Sequence, residues 1–125
     1  MVDDNPDDVF VVQIAAEEIS PPVQVDSADS GDQLLGWVEA GAEEPPTALL
    51  IDWHLPGTAA ADVITRLRDR ADWREVPIVV CSGGGEAALA EEAERLGADG
   101  FEPKPTSIDG VLAMIDRVLS LSSRV

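Results

Sequence analysis

The sequence predicts a doubly wound α/β domain, with a parallel sheet covered by helices on both faces. Short β-branched apolar runs, typical of buried strands, alternate along the chain with longer stretches of helical spacing. A repeated order of strand and then helix favours right-handed βαβ units, which place the helices on both faces of one sheet. The chain of 125 residues, with 45% hydrophobic residues, is large enough to bury one core.

The sequence of the first part of the chain predicts a helix, a strand and a second helix. The helix is expected over residues 7–19, because Pro6 suits a first helical turn and Pro21-Pro22 ends the stretch. A short strand is expected over residues 23–25, followed by a helix over residues 31–40. This region therefore supplies one strand and two of the covering helices.

The rest of the chain continues the same alternation. Strands are expected over residues 48–51 and 77–81, and helices over residues 59–70, 86–96 and 107–121. Gly97 suits the end of the fourth helix, and Ser107 suits the cap of the last one. No repeat or linker interrupts the pattern, so residues 1–125 are expected to form a single domain with no output domain.

Charge and composition exclude several classes of function. The chain has 25 acidic and 8 basic residues and a net charge of -17, which repels nucleic-acid phosphates. It has no apolar run long enough to span a membrane. A lone cysteine, Cys81, excludes an internal disulfide and favours a reducing cytoplasm. The acidity is typical of a soluble acidic domain, with a salt-adapted source as the alternative.

Polar residues follow the predicted strands, where open α/β sheets bind their ligands. Counted in the order of the βαβ pattern, Asp3 and Asp4 follow the first strand, Asp52 and His54 the third, Ser82 the fourth and Lys104 the fifth. Three carboxylates held close together repel each other, and a hard cation such as Mg²⁺ relieves that repulsion. One aspartate could then accept a phosphoryl group, with Lys104 and Ser82 contacting the phosphoryl oxygens. Each residue alone has an ordinary explanation, such as a turn or a helix cap, but their joint order favours a phosphoryl site.

Two segments carry a family resemblance. Residues 50–57 (LIDWHLPG) and 97–105 (GADGFEPKP) resemble the receiver domain of response regulators, the CheY-like superfamily. The opening residues 4–8 (DNPDD) look most like the small single-domain receivers linked to phytochrome-type kinases. The resemblance implies a flavodoxin-like sheet of five parallel strands in the order 2-1-3-4-5, with helices on both faces.

The resemblance also implies the roles of individual residues. Asp52 would be the phosphoacceptor, and Ser82 and Lys104 would contact the phosphoryl group. Mg²⁺ (or Mn²⁺) would bind to Asp3, Asp4, Asp52 and the backbone carbonyl of His54, rather than to the His54 ring. Ser82 and Phe101 would form the switch, and a cis peptide bond would precede Pro105.

The function implied is that of a single-domain response regulator in a two-component phosphorelay. It would signal through phosphorylation-dependent protein contacts and would catalyse only its own phosphorylation and dephosphorylation. Expected partners are a histidine kinase or phosphotransfer protein and a downstream target, without direct nucleic-acid or membrane binding. A homodimer is compatible with this function.

The first strand departs from the family pattern, because only Met1 and Val2 precede the acidic pair. Three explanations fit: a true start that lies upstream, which we favour, a degenerate strand, or the loss of preceding residues. A degenerate strand favours an alternative function, a pseudo-receiver that acts as a constitutive protein-interaction module. A small phosphohydrolase is a further alternative, disfavoured because no insertion is long enough to enclose a substrate.

Overall fold

Three parallel strands form the sheet of the computed structural model, which describes residues 1–41, 44–83 and 87–122. They are β1 (Leu49–Asp52), β2 (Ile78–Ser82) and β3 (Gly100–Pro103), in the spatial order β1-β2-β3. Leu49 pairs with Ile78, and Val79 pairs with Gly100. The carboxyl ends of all three strands therefore lie at the same edge of the sheet.

The described residues contain five α-helices close to the predicted positions. They are α1 (Pro6–Glu17), α2 (Gly31–Ala40), α3 (Ala60–Arg68), α4 (Ala87–Leu96) and α5 (Ile108–Ser122), with a short 3₁₀ helix at Ala71–Trp73. The Asn5 side chain caps α1 by accepting the Asp7 N–H, and Gly41 ends α2 in the left-handed region at φ 65°. The predicted start of the fourth helix at Glu86 lies outside the described residues. No helix in the part of the chain that the structure describes is long and apolar enough to cross a membrane.

Val2 lies beside the outer edge of β1 without forming a full strand. It makes single parallel bridges to Ala28 and to Ile51. Its N–H donates to the Leu50 carbonyl at 2.8 Å, and its carbonyl accepts the Asp52 N–H at 2.9 Å. Ala28, Val2 and β1 lie side by side in the order 2-1-3 that the resemblance implies for the first three strands. The described residues form a sheet of three strands, however, and not of five.

The strand predicted over residues 23–25 was wrong. The Val23 N–H donates to the Ala16 carbonyl at the end of α1, and the bridge to Val2 forms further along, at Ala28. A strand needs a hydrogen-bonded neighbour, and Met1 and Val2 are too few residues to pair with residues 23–25 as well. The β-branched composition of residues 23–25 alone was therefore insufficient to predict a strand.

Buried side chains pack on both faces of the sheet, as predicted. Side chains of β1 and β2 alternate between the faces, so Ile51 and Val80 pack on one side and Leu50 and Val79 on the other. The first face is covered by α2, α3 and α4, and the second by α1 and α5. Cys81 lies in the second cluster, where burial raises the pKa of its thiol to about 12, so this cysteine is a core residue.

Candidate functional site

Three carboxylates meet at the carboxyl edge of the sheet. Asp3 follows the Val2 bridge, and Asp52 is the last residue of β1, so hydrogen bonds of the sheet position both. Asp3 is only 2% exposed and Asp52 only 5%, whereas Asp4 is exposed. One oxygen from each of these carboxylates lies within 4.8 Å of the other two. The structure thus brings together the three acidic residues that the strand order predicted.

Lys104 supplies the positive charge inside this cluster. Its Nζ lies 3.1 Å from Asp52 Oδ2, 3.2 Å from Asp3 Oδ2 and 2.8 Å from Asp8 Oδ2. The lysine follows β3, and its backbone N–H donates to the Ser82 carbonyl at 2.7 Å, which anchors it beside the end of β2. Burial acts to lower the pKa of Lys104, but the hydrogen bonds to the three carboxylates outweigh it and raise that pKa.

Backbone amides orient the two buried carboxylates. Asp3 Oδ1 accepts the Asn5 N–H at 2.9 Å, and Asp52 Oδ1 accepts the His54 N–H at 3.1 Å. Burial raises the pKa of Asp3, and the nearby Asp52 charge adds to this rise, while the Asn5 and Lys104 contacts oppose it. Ionisation of Asp3 therefore destabilises the folded protein when Lys104 is the only positive charge that contacts it among the described residues.

A small divalent cation fits this donor set. Mg²⁺ and Mn²⁺ prefer carboxylate, carbonyl and water oxygens, and the cluster offers three carboxylates of which two are buried. Added positive charge would offset the mutual repulsion of Asp3 and Asp52. Asp4, exposed beside them, would leave the cation open to water on one side.

The remaining predicted site residues lie on β2, on β3 and just after β1. Ser82, the last residue of β2, is 1% exposed. Phe101 in β3 is partly buried and packs against the core cluster under α2, α3 and α4. The His54 side chain is exposed at the rim, while its backbone N–H contacts Asp52. Ser82 and Phe101 thus belong to neighbouring strands that end at this edge.

The cis peptide bond predicted before Pro105 was wrong. The Lys104–Pro105 bond is trans, and the cis bond in the described part of the chain is Ser20–Pro21. Trans is the lower-energy form of an X–Pro bond by about 0.5–1 kcal/mol. With this trans bond, the Lys104 side chain still contacts Asp8 and Asp52.

Sequence reasoning missed Asp8. Acidic residues are common in the first turn of a helix, where the helix dipole favours them, so Asp7 and Asp8 looked like ordinary α1 residues. The structure places the Asp8 carboxylate at the shortest distance from Lys104 Nζ of the three partners. Only the packing of α1 beside the end of β3 could have identified it.

Replacing Asp3 by Asn is expected to stabilise the metal-free protein at neutral pH and to weaken Mg²⁺ binding by roughly tenfold or more. The raised pKa means that the folded state favours a neutral group at this position. The loss of stability caused by ionising Asp3 is absent below the ordinary pKa of an aspartate. It is fully present once the pH exceeds the raised pKa of Asp3 in the folded state. Asn keeps an oxygen that can accept the Asn5 N–H.

Urea denaturation at pH 7 in a chelator, followed by a Mg²⁺ titration read by tryptophan fluorescence, checks both parts. Asp4→Asn is the matched control, because Asp4 is exposed and its neutralisation should weaken Mg²⁺ binding without raising the urea midpoint. An Asp3→Asn midpoint below that of the unchanged chain would contradict the explanation.

Comparison with known proteins agrees with the fold and the acidic site described above. The family model for the response regulator receiver domain matches residues 1–116. The chain is 33% identical over 92 residues to the transcriptional regulatory protein KdpE of Mycobacterium tuberculosis, covering 74% of this chain and 38% of KdpE. It spans well under half the length of the first curated relatives that it matches.

Two solved structures show the same fold. The phosphorylated cyanobacterial phytochrome response regulator RcpA superposes with a TM-score of 0.83 at 20% identity, covering 95% of this chain and 91% of RcpA. The Mn²⁺-bound response regulator Rcp1 superposes with a TM-score of 0.82 at 17% identity, covering 99% and 93% of the two chains. With the family model, the parallel sheet and the acidic cluster beside Lys104 in agreement, this chain belongs to the CheY-like receiver-domain family of response regulators.

Proposed function

We propose that the chain is a phosphoacceptor switch of two-component signalling, phosphorylated at Asp52 with a divalent cation bound beside it. The observation that carries this proposal is the placement of Lys104 Nζ within 3.1 Å of Asp52 and 3.2 Å of Asp3, at the edge where a third carboxylate also lies. A purely structural ion pair would not need two buried carboxylates and an exposed one around the same point.

Phosphorylation would occur by transfer of a phosphoryl group to Asp52. A carboxylate oxygen of Asp52 forms a bond to phosphorus, the bond from phosphorus to the donor breaks, and the departing group keeps the electron pair. Lys104 would neutralise one phosphoryl oxygen, and the Ser82 hydroxyl would hydrogen-bond another. A cation held by Asp3, Asp4, Asp52 and the His54 carbonyl supplies further positive charge for the phosphoryl oxygens.

The output would be a change in protein contacts. Phosphorylation adds about 1.5 to 2 negative charges and strong acceptors at one edge. Ser82 would move toward the phosphoryl group and Phe101 would follow inward, changing the surface made by α4, β3 and α5. We propose a cytoplasmic regulator that exchanges phosphoryl groups with a histidine kinase or phosphotransfer protein and then binds a downstream target. Its catalysis would be limited to its own aspartate.

The test is to incubate the chain with Mg²⁺ and a small acyl-phosphate donor, and to measure the intact mass. We expect one added phosphoryl group that requires Mg²⁺ and is absent from the Asp52→Asn variant. Asn has the same shape and can accept the His54 N–H, so this control should keep the fold. A well-folded chain that gains no phosphoryl group would favour the pseudo-receiver, and labelling of Asp52→Asn would contradict the assignment of Asp52.

An apolar patch on α1 suggests where the phosphodonor protein binds. Phe10 is 61% exposed, and Val11 and Ile14 are each 39% exposed, on the helix that also carries Asp8. These three side chains are neighbours on one helix face, and exposed apolar clusters commonly mark protein contacts. The patch therefore lies on the helix that brings Asp8 to Lys104, and it is available to a partner.

Replacing Phe10 by Ser is expected to slow phosphoryl transfer from a donor protein by about tenfold, because anchoring aromatic residues often contribute more than 1 kcal/mol to an interface. Transfer from the small acyl-phosphate donor should be unchanged, because that reaction needs no protein contact. Measuring both rates on the same variant checks the prediction. Equal slowing with both donors would show that the substitution disturbs the acceptor site and not the contact made by the apolar patch.

A further inference from the structure

Asp8 contacts Lys104 but has no part in the proposed phosphoryl site. Its Oδ2 lies 2.8 Å from Lys104 Nζ, closer than Asp52 at 3.1 Å and Asp3 at 3.2 Å. The two residues are 96 positions apart in the chain, so the contact joins the first turn of α1 to the segment after β3. The Asp8 side chain is 38% exposed and lies outside the cluster of three carboxylates suited to a cation. Its contact with Lys104 therefore requires a separate explanation.

Both ends of this contact are held by the fold. Val9 and Val12 of α1 are buried, which fixes the helix that carries Asp8. At the other end, the Lys104 N–H donates to the Ser82 carbonyl at 2.7 Å, so the lysine backbone is fixed beside the end of β2. The long lysine side chain keeps its freedom of rotation unless a partner holds it. Asp8 thus restricts the part of Lys104 that the backbone does not.

The Lys104 ammonium has three N–H donors, and three carboxylates contact it in the part of the chain that the structure describes. Asp3 and Asp52 would give up these contacts in part when their oxygens hold a divalent cation. The contact with Asp8 would remain, because Asp8 is outside the set of cation ligands. Two donors would then be available to a phosphoryl group, while the third holds the ammonium beside Asp52.

We propose that Asp8 is a positioning residue for phosphoryl transfer, which holds the Lys104 ammonium beside Asp52 when Asp3 and Asp52 bind a divalent cation. This inference rests on the proposed phosphoacceptor function. Asp8 acts through Lys104, so its loss would leave the acceptor carboxylate and the cation ligands in place. Without Asp8, the ammonium would spend part of its time turned toward solvent, and each transfer would first have to order it.

The first measurement is the order of the Lys104 side chain. Lys104 is the only lysine in the sequence, so isotope-labelled lysine gives one assigned set of signals. Relaxation of its Cε methylene reports motion on the picosecond to nanosecond timescale. At saturating Mg²⁺ we expect the order parameter to fall by roughly a third in Asp8→Ala. Alanine is favoured in helices, so this variant should keep α1.

The second measurement is the rate at which the chain gains a phosphoryl group from a small acyl-phosphate donor, with Mg²⁺ saturating for each variant. We expect Asp8→Ala to be about tenfold slower than Asp7→Ala, the size expected when a lysine is no longer held in advance. Asp7→Ala is the matched control, because Asp7 is exposed on the same turn of α1 and is not one of the three carboxylates that contact Lys104. Losing one negative charge near the donor should affect both variants alike.

The outcomes separate the role of Asp8 from the proposed function. Asp8→Glu restores the charge, and we expect it to recover most of both the order and the rate. Equal rates in Asp8→Ala and Asp7→Ala, or a slower rate with Lys104 still ordered, would overturn the role of Asp8 and leave the phosphoacceptor function standing. A rate that Glu recovers without the order would also overturn it. An unchanged chain that gains no phosphoryl group would contradict the phosphoacceptor function, and with it this inference.

Discussion

Replacing Lys104 by Met is expected to lower the free energy of unfolding by about 3 kcal/mol in the absence of divalent cations. The lysine side chain is 24% exposed, and it is the cation that contacts Asp3 and Asp52, whose side chains alone are 1% and 6% exposed. Without it, two buried carboxylates face each other and Asp8 with no compensating charge. Removing one partner of a buried ion pair is costly because the remaining charge stays buried.

Mg²⁺ should reverse most of this loss. A cation that binds the folded state stabilises it, and in the Met variant Lys104 no longer competes for the same carboxylates. We expect a larger gain in the urea midpoint on adding Mg²⁺ than in the unchanged chain, together with loss of phosphorylation-driven switching. Arg117→Met is the matched control, because the Arg117 side chain is 56% exposed and its removal leaves only the one partly buried carboxylate of Glu102, so the midpoint should change less. An equal loss in both variants would show that net charge, and not the site, is responsible.

Replacing Arg68 by Ala is expected to lower the free energy of unfolding by about 3 to 4 kcal/mol. Arg68 ends α3 with its side chain 17% exposed, and its guanidinium donates to the carbonyls of Trp73 at 2.9 Å, Val76 at 2.8 Å and Gly97 at 2.8 Å. It also contacts Asp99 Oδ2 at 2.8 Å, and that oxygen accepts the Ile78 N–H at 2.9 Å. One side chain thus joins α3 to the starts of β2 and β3.

The loss would be a large part of a total stability of about 5 to 15 kcal/mol. Arg66→Ala is the matched control, because Arg66 is exposed on the same helix and its removal should leave the urea midpoint nearly unchanged. Arg68→Lys should recover little, since an ammonium cannot reproduce the planar set of five donors. The explanation fails if Arg68→Ala and Arg66→Ala unfold at the same urea concentration.

The convergence of Asp3, Asp4, Asp52 and Lys104 could be predicted from sequence because of where they stand relative to the parallel segments. Asp3 and Asp4 follow the Val2 position, Asp52 ends β1 and Lys104 follows β3. Parallel strands place their carboxyl ends together, so the order of elements is enough to bring these side chains to one edge. The helices could be predicted for a similar reason. Their spacing, caps and glycine or proline ends are local signals that the tertiary structure did not override.

Other features required contacts between distant parts of the chain. Nothing in the sequence distinguishes Arg68 from Arg66 on the same helix, and only the packing of the loops before β2 and β3 gives Arg68 its carbonyl partners. Asp8 looked like a first-turn helix residue until α1 was placed beside Lys104. The predicted strand over residues 23–25 failed because pairing depends on a neighbour that composition does not reveal.

By itself, therefore, the sequence determined the α/β class, the helices and the edge of the sheet at which the acidic residues and Lys104 meet, since periodicity and strand order are properties of the chain alone. Only the tertiary structure decided which groups pair, namely the partners of Lys104 and of Arg68, and that the bond before Pro105 is trans. Hydrogen bonds and burial between segments far apart in sequence depend on where the packed elements place them.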